Sequence, residues 1–443
     1  MRAADISARL SPGARHVFET SMGRAEAALA SLGVGAEAYR FVPGRIEVLG
    51  KHTDYAGGRS FTCAAERGFA VVFSGSDTPQ LRIVDARDGR NATIPLLPEI
   101  EPAVGHWTNY PMTVARRLAR DFGPLRRGVD LAFCSTLPKS AGLSTSSALI
   151  TAVFLALSEA NDLPAHPTFR DAVPSPEALA GYLGSIENGA PFGPLSGDRG
   201  VGTTGGSEDH TAILLSRAGH LTCYRYTPVT ALMRVELPGH LTFVVVASGI
   251  AAEKTGTARE RYNRGAELVS DLVHLWNGAS GRSDRTLHDA LTSAPDALAR
   301  LRALVTSVTD SGRRDALARR LEHYVLEEQQ LLPAALAALD AGRIETFGVL
   351  VDRSQRAAED LLGNQVPETV TLARLARELG AHAASAFGAG FGGSVWALVD
   401  ADSAGTFLDT WLERYARAHP GAAPHASGFV TRPGPGALTR DRA

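Results

Sequence analysis

Residues 137–148 read Leu-Pro-Lys-Ser-Ala-Gly-Leu-Ser-Thr-Ser-Ser-Ala, and no other segment restricts the fold as much. A short apolar run of strand type, Val129–Ser135, precedes it, and an apolar helical pattern follows from about Ser146 to Ala160. A strand therefore turns through small residues into the start of a buried helix. Free N–H groups at a helix start, together with the macrodipole, make an anion site. Small residues let the backbone approach a polyphosphate. The hydroxyls of Ser144, Thr145, Ser146 and Ser147 can reach phosphate oxygens or a Mg²⁺ ion. A Ser/Thr cap is the plainer account of such residues. Four consecutive hydroxyls exceed what a cap needs, which favours phosphate binding through Gly142, Leu143 and the residues up to Ser147.

The chain has 443 residues, which at roughly 100–200 per domain makes two or three domains or one bilobal unit. Charge is nearly balanced, with Lys+Arg 45 against Asp+Glu 47, so the basic excess that nucleic acid requires is missing. Cys63, Cys134 and Cys223 stand alone, a pattern that fits a reducing compartment and argues against a disulfide scaffold. Met1–Leu10 holds no apolar signal core, and runs such as Phe243–Ala247 fall far short of a membrane span. These features predict a soluble cytoplasmic protein without nucleic-acid or membrane partners.

Along the chain, 4–33 has helical spacing and 37–49 alternates like a strand, as does 61–73. Residues 80–96 read as a hairpin around Asp88-Gly89, and a helix follows Trp107 to about Asp121. Residues 162–175 and 188–206 read as surface loops, 211–226 as a strand pair, and 240–248 as an apolar strand. From 258 to about 379 the pattern is mostly helical, with breaks near 277–286, 310–313 and 364–367. A strand at 394–400 follows, and the tail from Arg432 reads as frayed. Strands and helices that do not strictly alternate predict an α+β fold. The division is expected near Pro228 and Pro238, giving lobes of 1–232 and 233–443.

Two further glycine-flanked segments carry polar chemistry. In Pro43–Gly58, Arg45, Lys51, His52 and Asp54 crowd a turn after a strand, where they can face a polyhydroxylated ligand or simply tip a solvated hairpin. Gly388-Ala-Gly-Phe-Gly-Gly393 precedes a strand, the wrong order for a dinucleotide loop; it reads as a tight turn or as a brace against a ligand or the catalytic loop. Asp121-Phe122-Gly123 spells a protein-kinase metal motif but lacks its companion motifs, and no Walker loop is present.

Together these segments resemble the GHMP kinase superfamily and, within it, the galactokinase branch. Gly44–Tyr55 is similar to the signature G-R-x-N-L-I-G-E-H-T-D-Y, Pro138–Ser147 to P-x-x-x-G-L-S-S-S, and Gly388–Gly393 to G-A-G-F-G-G. Trp107-Thr-Asn-Tyr110 looks like the W-x-N-Y beside the adenine pocket. Gly205–His210 resembles the loop G-x-x-D-Q of the catalytic aspartate, with His210 in place of glutamine.

The resemblance implies two α+β lobes, an N-terminal one like ribosomal S5 domain 2 and a C-terminal ferredoxin-like one, with the site between them. It implies an ATP-dependent sugar 1-kinase, most simply one acting on galactose, as a monomer or weak homodimer. Asp209 is then the base and Arg45 its partner; Arg45, Lys51, His52, Asp54, Asp209 and Tyr262 face the sugar. Trp107 and 142–147 hold ATP, while Ser146 and Glu187 hold Mg²⁺. Two departures bear on the sugar. Lys51 stands where the family has glutamate, and Glu47 where it has asparagine. A lysine donates only. Facing the sugar it suits a uronic acid; turned away or paired with Glu47 it leaves galactose preferred. A kinase for arabinose, a non-catalytic sugar sensor, and a mevalonate or homoserine branch are the alternatives.

Overall fold

The computed structural model describes residues 2–139, 141–251 and 256–438, the side chains of 256–259 excepted. Ser140 of the serine-rich segment and the tail beyond 438 lie outside the described residues.

One long strand organises the first half. β1 (Ala38–Leu49) pairs antiparallel with β2 (Arg59–Ser76) across the 50–58 turn. β3 (Gln80–Asp85) and β4 (Asn91–Pro95) form the expected hairpin, with Gly89 at positive φ. β5 (Gly128–Ser135), β6 (His220–Arg225) and β7 (Thr230–Glu236) complete the order β4-β3-β5-β2-β6-β7. Residues of β2 alternate between two apolar surroundings. Ala70 and Val72 join the core under helix Pro12–Ala30, whereas Phe69, Val71 and Phe73 join the core of helix Thr145–Ala160. Burial on both faces explains why the strand reads as a continuous apolar run.

β8 (Leu241–Ala247), β9 (Ala383–Ala386), β10 (Ser394–Asp400) and β11 (Ser427–Thr431) make a second sheet, ordered β11-β8-β10-β9. Val244 and Val246 face helices Pro367–Glu378 and Ala404–Ala418, whereas Phe243 and Val245 belong to the core of the first sheet. The two sheets thus share one core, and the Trp396 indole N–H donates to the Glu47 carbonyl at 3.1 Å. The 232/233 division falls inside β7, and the change of sheet comes at 237–240. β12 (Pro433–Gly434) then returns to Ala64 and Ala65 of β2.

Four readings need correction. The 4–33 helix is two, Ala3–Ser7 and Pro12–Ala30, because Pro12 begins a helix and cannot sit inside one. The 162–175 loop contains helix Pro167–Ala172. Residues Glu208–Leu215 are a helix, so the strand pair is β6 with β7, not two strands within 211–226. The tail is ordered to 438: Pro433 and Gly434 pair with β2, and the Leu438 amide donates to the Leu214 carbonyl at 3.1 Å.

Candidate active site

The loop after β5 enters helix Thr145–Ala160 through Ser144, a non-glycine residue at φ 61°. Ser144 occupies the cap position but its hydroxyl makes no capping bond. The Ser144 Oγ and Thr145 Oγ1 are both buried without a partner, so the cap explanation fails for them. Buried polar groups ordinarily have partners. Two such hydroxyls at a helix start fit the oxygens of a phosphate chain.

Ser146 and Ser147 point elsewhere. Ser147 Oγ lies 2.7 Å from Glu187 Oε2 and 3.2 Å from Asp209 Oδ2, and Ser146 Oγ lies 3.2 Å from Glu187 Oε1. Glu187 ends helix Pro176–Asn188, and Asp209 sits in the first turn of helix Glu208–Leu215. His210, fully buried, places Nε2 2.8 Å from Glu187 Oε2. Among the described residues no cluster of three His, Cys, Asp or Glu forms a complete metal cage. Ser146 Oγ and the Glu187 carboxylate stand side by side, a pair of oxygen donors that could hold Mg²⁺ together with substrate phosphates.

Arg45 comes from β1 and joins these pieces. Its Nε donates to Asp209 Oδ1 at 2.8 Å and its Nη1 to the Gly142 carbonyl at 2.7 Å, while Glu208 Oε1 stands 3.4 Å from Nε. Burial works against its charge, but Asp209, Glu208 and Glu47 outweigh it and hold the guanidinium protonated. Burial raises the Glu47 and Glu208 carboxyls above their ordinary range; Arg45 opposes both shifts. Gly388 seals this corner at φ +79°, where a Cβ would stand 2.8 Å from the Gly142 carbonyl.

The polar turn is held from beneath. His52 sits at φ 56°, its Nδ1 2.9 Å from the Tyr55 hydroxyl and its ring 5.6 Å from that of Tyr262. Arg320 of helix Ser311–Val325 donates to the His52 carbonyl. Asp54, raised by burial, receives the Glu208 amide at 3.4 Å. Lys51 does not join this group. It is 1% exposed, and its ammonium donates to Ser354 Oγ at 2.9 Å, which in turn donates to Glu327.

A cavity of about 700 Å³ runs from Arg45, Asp54, Asp209 and Tyr262 to Trp107 and Phe133. Arg90 lies over Trp107, 5.5 Å from the ring. One end is polar and acidic and the other flat and aromatic, with the phosphate-type loop between. This suits a sugar-sized polyol and a nucleotide meeting in the middle. The 188–206 segment is strapped to the wall: Arg116 pairs with Asp198 at 2.7 Å, and Asn109 donates to the Val201 carbonyl at 3.1 Å.

Three family models match. Residues 33–75 match the galactokinase galactose-binding signature, 109–193 the GHMP kinases N terminal domain, and 335–417 the GHMP kinases C terminal region. The chain belongs to the GHMP kinases. Among its relatives, a galactokinase from Roseiflexus sp. is 28% identical over 88% of this chain and 90% of its own. One from Lacticaseibacillus casei is 27% identical over 86% and 90%. The galactokinase of Lactococcus lactis, solved with galactose, superposes with a TM-score of 0.75 at 21% identity, covering 93% of this chain and 97% of its own. The Methanococcus jannaschii mevalonate kinase reaches 0.54 at 14% identity, with 90% and 98% covered.

In this GHMP kinase the fold brings Arg45, His52, Asp54, Asp209, Glu187, Tyr262, Trp107, Gly142 and Ser144–Ser146 to one cavity. Ser147 sits just behind the wall, bonded to Glu187 and Asp209; Leu143 is buried, its carbonyl accepting from the Arg45 amide at 3.4 Å. Lys51 is the one expected sugar contact left outside the lining. Glu47, read above only as a departure and a possible partner of Lys51, lines it, and so does Glu208, which had no expected role. Glu47 was within reach of strand periodicity, since i and i+2 share a face and Arg45 was already singled out.

Proposed function

We propose that this GHMP kinase transfers the γ-phosphoryl group of ATP to the anomeric hydroxyl of a monosaccharide, galactose first, and so serves galactose metabolism. The carrying observation is the convergence of the serine-rich helix start, Asp209 and Arg45 within hydrogen-bonding distance of one another. Galactokinase relatives along most of the chain and the galactose-binding signature support the same reading.

Phosphoryl transfer asks a protein mainly for alignment and charge stabilisation. The Ser144 and Thr145 hydroxyls and the amides at the helix start hold the phosphate chain, and Trp107 flanks the base. Ser146 and Glu187 would hold Mg²⁺, which when bound would supply charge neutralisation on the phosphates. Asp54, His52 and Tyr262 grip the sugar. Asp209 orients the attacking hydroxyl and accepts its proton, while Arg45 fixes the aspartate rotamer through its 2.8 Å bond. The place of work is the cytoplasm, consistent with three buried free cysteines, and the working form is a monomer or weak homodimer.

ADP release with galactose tests this. Asp209→Asn should lower kcat by roughly 10²–10⁴ while galactose KM changes only a few-fold. Undiminished turnover in that variant would remove Asp209 from the reaction.

A further inference from the structure

The sugar end of the cavity carries an unusual charge pattern. Glu47, Asp54, Glu208 and Asp209 line it around Arg45, the one Lys or Arg of the described lining there. The other lining cations are engaged elsewhere: Arg87 donates to the Leu137 carbonyl at 3.1 Å, Arg90 covers Trp107, and Lys139 pairs with Asp88 at 3.1 Å. Lys51, the residue that would welcome an acidic sugar, is turned to Ser354 and absent from the lining.

Within this set Glu47 is distinctive. It is 3% exposed, it lines the cavity, and its Oε1 has no hydrogen-bond partner. The carboxyl of Glu208 lies within hydrogen-bonding reach of Glu47, burial raises both carboxyls, and Arg45 opposes both shifts. A buried carboxylate oxygen without a donor is costly, because desolvation is not repaid. A donor arriving from the cavity side would repay it.

We infer that Glu47 is a specificity-determining residue of the sugar subsite: its free oxygen accepts a hydrogen bond from a hydroxyl or ammonium group of the substrate, and it turns carboxylate-bearing sugars away. The inference rests on the kinase reading above and adds the substrate class, neutral or amino sugars but not uronic acids. Lys51 acts beneath the subsite, through Ser354 on Glu327, and not on the substrate.

The test compares galactose with galacturonate on the full-length chain, by ADP release and by calorimetric binding of each sugar. Wild type should use galactose at least about 100-fold better than galacturonate, the scale of one hydrogen bond to a charged group gained or lost. Glu47→Gln keeps the shape but loses the charge. It should raise galactose KM about 10-fold, with kcat little changed, and narrow the galactose-to-galacturonate ratio. Wild-type use of galacturonate as good as galactose overturns the inference without any variant. So does a Glu47→Gln protein whose galactose affinity and sugar ratio match wild type. Both results leave the kinase reading standing; that reading fails separately if no sugar drives ADP release, and if no sugar binds either, the inference falls with it.

Discussion

Arg45→Met removes the group that holds the site together, and the cost can be worked from its contacts. The guanidinium makes two short bonds, to Asp209 and to the Gly142 carbonyl, and faces Glu208 at 3.4 Å. Deleting one partner of a buried ion pair costs about 3–5 kcal/mol, because the other charge stays buried alone. Asp209 retains 18% side-chain exposure, so water relieves part of the penalty and the lower figure applies. At about 2–4 °C per kcal/mol this lowers Tm by roughly 6–12 °C. The loss should also depend on pH. Glu47 and Glu208 are already raised by burial, and both rise further without Arg45. A carboxyl whose folded pKa is raised makes the native state the better proton binder. Its contribution is whole below the unfolded value near ~4.3 and disappears as pH climbs through the folded value. The Tm gap between wild type and variant should therefore be small at pH 5.5 and wide at pH 8.5 in a fluorescence melt. A gap that stays constant with pH, or an unchanged Tm at pH 8.5, would refute the account of these carboxyls as dependants of Arg45.

Two further substitutions probe the supports. Lys51→Met should destabilise by about 3 kcal/mol in urea unfolding by stranding Glu327, and adding Glu327→Gln should recover most of it; a single variant as stable as wild type would show that the ammonium is not the partner of that carboxylate. Gly388→Ala places a side chain at φ +79° against the Gly142 carbonyl and should raise the KM for ATP more than that for galactose, so an equal rise in both would argue against a role in shaping the phosphate loop.

The helix start at Ser144–Ser147 was legible because its chemistry is local: four hydroxyls, a preceding strand and an apolar helix all lie within one short stretch. The glycine motif at 388–393 had two open readings, a tight turn or a brace; the fold sets Gly388 against Gly142 across 246 residues of chain, a separation no window can span. Lys51 shows the same limit. Its partner Ser354 lies 303 residues away, so only folding decides whether the ammonium faces the ligand or the core. The run Thr211–Leu215 failed for another reason: a short apolar stretch fits either period, and this one is the end of a helix that begins at Glu208.

The return of Pro433–Gly434 to β2 has a consequence for biosynthesis. Along the edge of β2 away from β1, β12 lies between β6 and β5, and Glu66 beside it receives the Ser11 and Arg432 amides. A ribosome delivers residues 11 and 66 long before 432. The first sheet therefore keeps an open seam beside Ala64 and Ala65 until residues 433–434 have emerged, so residues 1–232 alone do not complete it.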